Sequence, residues 1–185
     1  MSRPTHLLRH EHRVIEQAMR ALEGMRFRIR AGGIVPGVEL SKLLDFIRNY
    51  ADRFHHAREE THLFPALEEV GIQDENGPLT FLRGEHETER RLLSDLELAV
   101  EEYRHDPDDP ASGAELVSVA YQYKDHLIEH MRQEEAILFR LAEEMLDDRV
   151  KDALVHIFAE ENAEAPERSL RYEQLVKELE KSWTV

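Results

Sequence analysis

Residues 130–139 read His130-Met131-Arg132-Gln133-Glu134-Glu135-Ala136-Ile137-Leu138-Phe139, and residues 55–64 read His55-His56-Ala57-Arg58-Glu59-Glu60-Thr61-His62-Leu63-Phe64. The two segments align at an offset of 75 residues, sharing His-x-x-x-Glu-Glu and a following Leu-Phe. Upstream of each stands a second matching pair, Leu7-Leu8-Arg9-His10-Glu11-His12 and Phe81-Leu82-Arg83-Gly84-Glu85-His86, at an offset of 74. One unit is therefore used twice. Each copy carries a His on its first segment and a His-x-x-x-Glu on its second.

Gly and Pro are scarce and clustered, so the breaks between segments are legible. They fall at Gly32-Gly33 to Gly37, at Gly71 to Pro78 and at Asp106 to Gly113, with a weaker one at Asp147-Asp148. Between them the chain is rich in Leu, Glu, Arg, Ala and Gln at a helical apolar spacing. Helices are expected over 4–31, 39–70, 78–104 and 113–146, with first-turn prolines at Pro4 and Pro78 and Ser112 as a cap for the fourth. Four long helices with short connections predict an all-α, up-down-up-down four-helix bundle built from two repeated hairpins. Residues 1–146 would form the bundle. Residues 147–185, in two helical pieces split near Pro166, would form an extension packed on or beside it.

Composition narrows the functional classes. Lys and Arg total 24 against 39 Asp and Glu, a formal net charge of −15, which disfavours phosphate-backbone binding and so nucleic acid. With no Cys there is no disulfide framework, thiolate metal site or Cys nucleophile. No apolar run is long enough to span a membrane, and the first residues lack the apolar core of a signal peptide, so a cytoplasmic protein is expected. The unusual quantity is His, at 11 residues. With Cys absent, His and carboxylates are the strong metal ligands available.

Residues four apart share a helix face, so His55 with Glu59, and His130 with Glu134, can point at one spot. At about 1.5 Å rise per residue, His12 lies roughly 12 Å above the base of its helix, and the other five lie between roughly 2 and 16 Å. Six ligand-type residues on four helices thus converge on one level. His56 also has a Glu four residues on, but its repeat partner is Met131, which demotes His56 and Glu60 to neighbours, to supports behind the ligands or to surface. His56→Ala is accordingly expected to spare metal binding. Glu135 reads as a solvated face, and Leu63-Phe64 and Leu138-Phe139 as core. His126 and Glu16 share faces with His130 and His12 and are the further candidates. Histidines and carboxylates without thiolate suit iron, manganese or zinc, and two interior Glu could bridge two cations. Cations would offset the cost of burying those carboxylates.

These motifs, in this order over residues 5–145, resemble the hemerythrin family, specifically its hemerythrin-like HHE cation-binding domains. The resemblance implies a bundle holding an oxo- or hydroxo-bridged pair of non-heme iron ions. His12, His55, Glu59, His86, His130 and Glu134 would be the ligands, with Glu59 and Glu134 bridging. It also implies a small diatomic ligand or peroxide as partner: O₂, peroxide or NO, in redox or nitrosative stress or in sensing. One departure stands out. The oxygen carriers supply two histidines one turn apart on the third helix, whereas here the second position is Arg90, leaving one ion a ligand short. Glu16, His126 or exogenous water is left to fill the gap. The rival readings are iron storage or sensing, and a metal-free acidic helical interaction module.

Overall fold

A computed structural model describes residues 3–72, 76–164 and 166–184. Helix α1 spans Pro4–Arg30. Helix α2 is continuous over 37–69. It opens as Gly37–Phe46, winds as a π-helix through Ile47–His56 and Glu59–Leu63, and closes as Phe64–Glu69. Helix α3 is Pro78–His105. Helix α4 covers 110–145 as Pro110–Gln133, a π-turn at Glu134–Leu138 and Phe139–Met145. Helices α5, Asp148–Glu164, and α6, Pro166–Trp183, follow. The described residues contain no strand, and no helix is long and apolar enough to cross a membrane.

Local chemistry explains the ends. Prolines open α1, α3 and α4, where the missing N–H would have no helical partner. Gly32 (φ 77°) and Gly71 (φ 94°) follow α1 and α2 in left-handed conformations that a side chain would resist. One expectation is corrected: α4 starts at Pro110, not 113. The cap is Asp109, whose carboxylate accepts the Ala111 and Ser112 N–H groups at 3.1 Å, while the Ser112 hydroxyl donates back to the Asp106 and Asp109 carbonyls. Residues 73–75, in the break before α3, and residue 165, beside Pro166, lie outside the described residues.

Helix α4 packs along both α3 and α1, and α2 packs against α3 and α1. The extension lies on this assembly: α6 runs along α1 and touches α2, and α5 contacts α1. At the far end of α6 the approach is so close that a Cβ on Gly24 would fall 1.6 Å from the Trp183 carbonyl oxygen.

The apolar core is split in two. The larger cluster includes Ile15, Met19, Phe46, Leu96 and Tyr123, with Val176 of α6. The smaller includes Leu8, Phe64, Leu82, Phe139 and Phe158 of α5. On α1, α2 and α3 the buried His and Glu residues fall between the stretches serving the two clusters, and on α4 His130 and Glu134 flank Met131, the last residue of the larger one, so a polar layer crosses the interior. Burial of charge on that scale requires a compensating partner.

Candidate metal centre

The layer is built by repeat-related positions. A π-turn starts at Glu59 in α2 and at Glu134 in α4, the same position of the repeat. Such insertions recur at functional sites in helices. In an α-helix consecutive side chains are about 100° apart, whereas the wider π-turn reduces the angle. The π-wound Ile47–His56 stretch can therefore turn two neighbours, His55 and His56, toward the interior. They are 0% and 2% exposed.

All six residues singled out by spacing come together. Ligand atoms of His12, His55, Glu59 and Glu134 lie within 4.8 Å of one another, and those of His56, His86 and His130 form a second such group. The Glu134 carboxylate joins the groups: Oε2 is 3.2 Å from His12 Nε2, and Oε1 is 3.1 Å from His130 Nε2 and 3.3 Å from His86 Nε2. Glu59 does likewise, at 3.9 Å from His55 Nε2 and 3.6 Å from His86 Nε2.

His56 lies inside the layer, within the second group. Its ring stacks on His86 with centroids 4.1 Å apart and stands edge-on to His130 at 5.5 Å. It stands third in a group otherwise short of a histidine. Repeat matching missed it because its partner position holds Met131, and the two halves differ at that place. On α3 the position one turn after His86 is Arg90, and the ring stacked on His86 comes from α2 instead. The other candidates do not supply it: Glu16 is exposed, and His126 is half-buried, with Nε2 3.6 Å from Glu85 and 3.9 Å from Glu89.

Glu60 and Glu135 each pair with a buried histidine of the layer, where Glu135 was expected only as a solvated face. Glu60 pairs with His86 Nδ1 at 2.7 Å and Glu135 with His12 Nδ1 at 3.0 Å. The repeat places an equivalent carboxylate on each first-helix histidine, leaving Nε2 directed inward. Arg90 fixes Glu60 at 2.8 Å and Asp52 at 2.7 Å. His55 Nδ1 is held at 2.8 Å by Glu11, which is paired to the buried Arg58. Arg58 reaches α5 through Glu161 at 2.7 Å, Asn162 at 2.9 Å and the Phe158 carbonyl at 3.0 Å.

Electrostatics in the layer are tense. Burial and the neighbouring Glu134 charge push the Glu59 carboxyl well up. Burial also acts upward on Glu134, but His130, His12 and His86 overcome it and hold Glu134 well below the usual range. Burial pushes Glu89 up to about 7 against the pull of His130 and His86. It pushes His55 and His56 well down, with adjacent histidines adding to the effect. At His130 burial is outweighed by the Glu134 and Glu89 charges, which raise it to about 9. Both oxygens of Glu59 and of Glu89 and both ring nitrogens of His56 are buried without a hydrogen bond among the described residues. Buried carboxylate oxygens and imidazole nitrogens without hydrogen-bond partners, set side by side, fit a cation. The donor set, nitrogen and carboxylate oxygen without sulfur, suits iron, manganese or zinc.

The apolar surroundings close around the layer. Phe139 stacks on His12 at 5.1 Å and Phe64 on His86 at 5.8 Å, and both phenyl groups are fully buried. The Leu-Phe pairs of the repeat are thus core and ligand wall together.

Searches among curated proteins and among solved structures return no match. The family model for the hemerythrin HHE cation binding domain matches residues 3–142. That stretch begins one residue before α1, takes in every ligand-type residue of the layer and ends in the last turns of α4, before α5. The chain belongs to the hemerythrin HHE cation-binding family.

Proposed function

We propose that the protein holds two iron ions within an up-down-up-down core of α1–α4 and uses them to engage O₂, peroxide or NO. The observation that carries this is the meeting of ligand atoms from seven buried residues in two neighbouring groups, with both Glu59 oxygens lacking a hydrogen bond among the described residues. His12 and His55 would hold one ion, and His56, His86 and His130 the other. Glu59 and Glu134, each near histidines of both groups, would bridge them. Iron bound there would supply reversible coordination and electron transfer toward a small ligand. The chain supplies orientation: Glu135, Glu11 and Glu60 fix the Nδ1 atoms of His12, His55 and His86 and keep their Nε2 atoms free to coordinate. Phe64, Phe139 and their neighbours exclude bulk water. Residues 147–185 act as an extension that braces His55 through Arg58.

Optical spectra of iron-loaded protein in reduced, oxidised and NO-treated forms test the proposal. Near-ultraviolet charge-transfer bands that change with each treatment are expected. Spectra insensitive to all three would contradict a role with these ligands and favour iron storage. Sustained peroxide consumption would identify turnover rather than carriage.

A further inference from the structure

Glu89 belongs to neither half of the repeat motif, yet it lies in the same polar layer. It stands three residues after His86 on α3, so the two side chains share the inward face. It is 3% exposed, and neither carboxylate oxygen accepts a hydrogen bond among the described residues. Its surroundings are imidazoles: Oε2 is 3.2 Å from His56 Nε2, and Oε1 is 3.8 Å from His130 Nε2 and 3.9 Å from His126 Nε2. The neighbouring cation, Arg90, is engaged by Asp52 and Glu60. Glu11, the comparable buried carboxylate of α1, has both Arg58 and His55. Among the described residues Glu89 has no ion pair with an Arg or Lys.

The geometry points to Glu89 as a third carboxylate ligand of the centre, completing the coordination of the ion held by His56, His86 and His130. This rests on the two-ion proposal above. Donor atoms about 2.0–2.2 Å from one ion lie about 3 Å apart when at right angles and about 4 Å apart when opposed. Oε2 falls within that range from His56 and Oε1 from His130, so the carboxylate borders the His56, His86 and His130 group and a rotation of it would present one oxygen to the ion. With one oxygen each from Glu59 and Glu134, that ion would have six protein donors. The ion at His12 and His55 would have four. Exogenous ligands would then meet only the second ion, and the six-donor position would favour iron or manganese over tetrahedral zinc. Glu89 thereby sets the asymmetry of the centre, in place of a second histidine on α3.

The test is an anaerobic Fe(II) titration of chelator-treated wild type and Glu89→Gln, with thermal melts of both apoproteins. Wild type should bind two ions. Glu89→Gln should keep one and bind the other at least 10–100-fold more weakly, the loss typical of removing even an outer partner of a ligand. The metal-free variant should melt no lower than metal-free wild type, because a buried unpaired carboxylate has been removed. Two ions bound equally by both proteins would overturn the Glu89 assignment alone. A wild type that binds no iron would overturn it together with the two-ion proposal. Should the variant not fold, a crystal structure of iron-loaded wild type decides: an oxygen of Glu89 at about 2.0–2.2 Å from the ion supports the assignment, and a carboxylate turned away from it overturns it.

Discussion

His56 has neither nitrogen hydrogen-bonded and lies face to face with His86, so removing its ring strips a donor from the densest part of the layer. His56→Ala should therefore lose metal as severely as His130→Ala, measured as iron retained after desalting. Retention of two irons by His56→Ala would restore the sequence-based demotion. Arg90 acts through its neighbours. Burial opposes ionisation of Asp52 and Glu60, yet His56 and Arg90 beside the first, and His86 and Arg90 beside the second, bring both carboxyls down to about 2. Carboxyls depressed in the folded state contribute stability above their unfolded values near pH 4, and lose it as pH falls toward 2. Arg90→Leu should cost about 1 kcal/mol at pH 7, a modest figure because the guanidinium is partly solvated. Denaturant melts from pH 7 to 2.5 should show the deficit shrinking with acidity. The six repeat-derived residues were legible because spacing and repetition carry them. His56 was not, since its inward turn depends on π-winding that no periodicity of side chains announces.

At the scale of elements, the two π-turns and the α5 clamp shape the site. The hairpin repeat could be read from the Gly and Pro breaks and from paired Glu-His and His-x-x-x-Glu motifs. The role of the extension could not, because Glu161 and Asn162 sit in an ordinary charged helix and acquire meaning only on meeting Arg58. Arg58 is 2% exposed and lies over the Phe54 ring at 3.9 Å, with Glu11 beyond it on the ligand side. Even with Arg58 present, burial lifts Glu11 to about 7. Arg58→Met keeps most of the volume but leaves Glu11 buried without its cation, so apoprotein stability should fall by about 3–5 kcal/mol. Urea melts measure it. Arg58→Met should also weaken iron binding, since Glu11 orients His55. An unchanged melt would show that the α5 clamp does not contribute to the stability of the layer.

Across the whole molecule, a polar layer divides an otherwise continuous apolar interior. The folded apoprotein bears buried carboxylates in search of a cation, while the net charge of −15 leaves most acidic groups to the solvated surface. Ions that bind only the folded chain stabilise it by mass action, by about 2.7 kcal/mol at a hundredfold excess over Kd for each site. Iron loading should therefore raise the melting temperature, and chelation should lower it reversibly. The central claim concerns the number of ions in that layer. Iron per chain, counted by elemental analysis after anaerobic loading and desalting, tests it most directly. Two irons per wild-type chain, lost on substituting His55 or His130 by Ala, is the predicted result. No retained iron, or iron that survives both substitutions, would contradict the account.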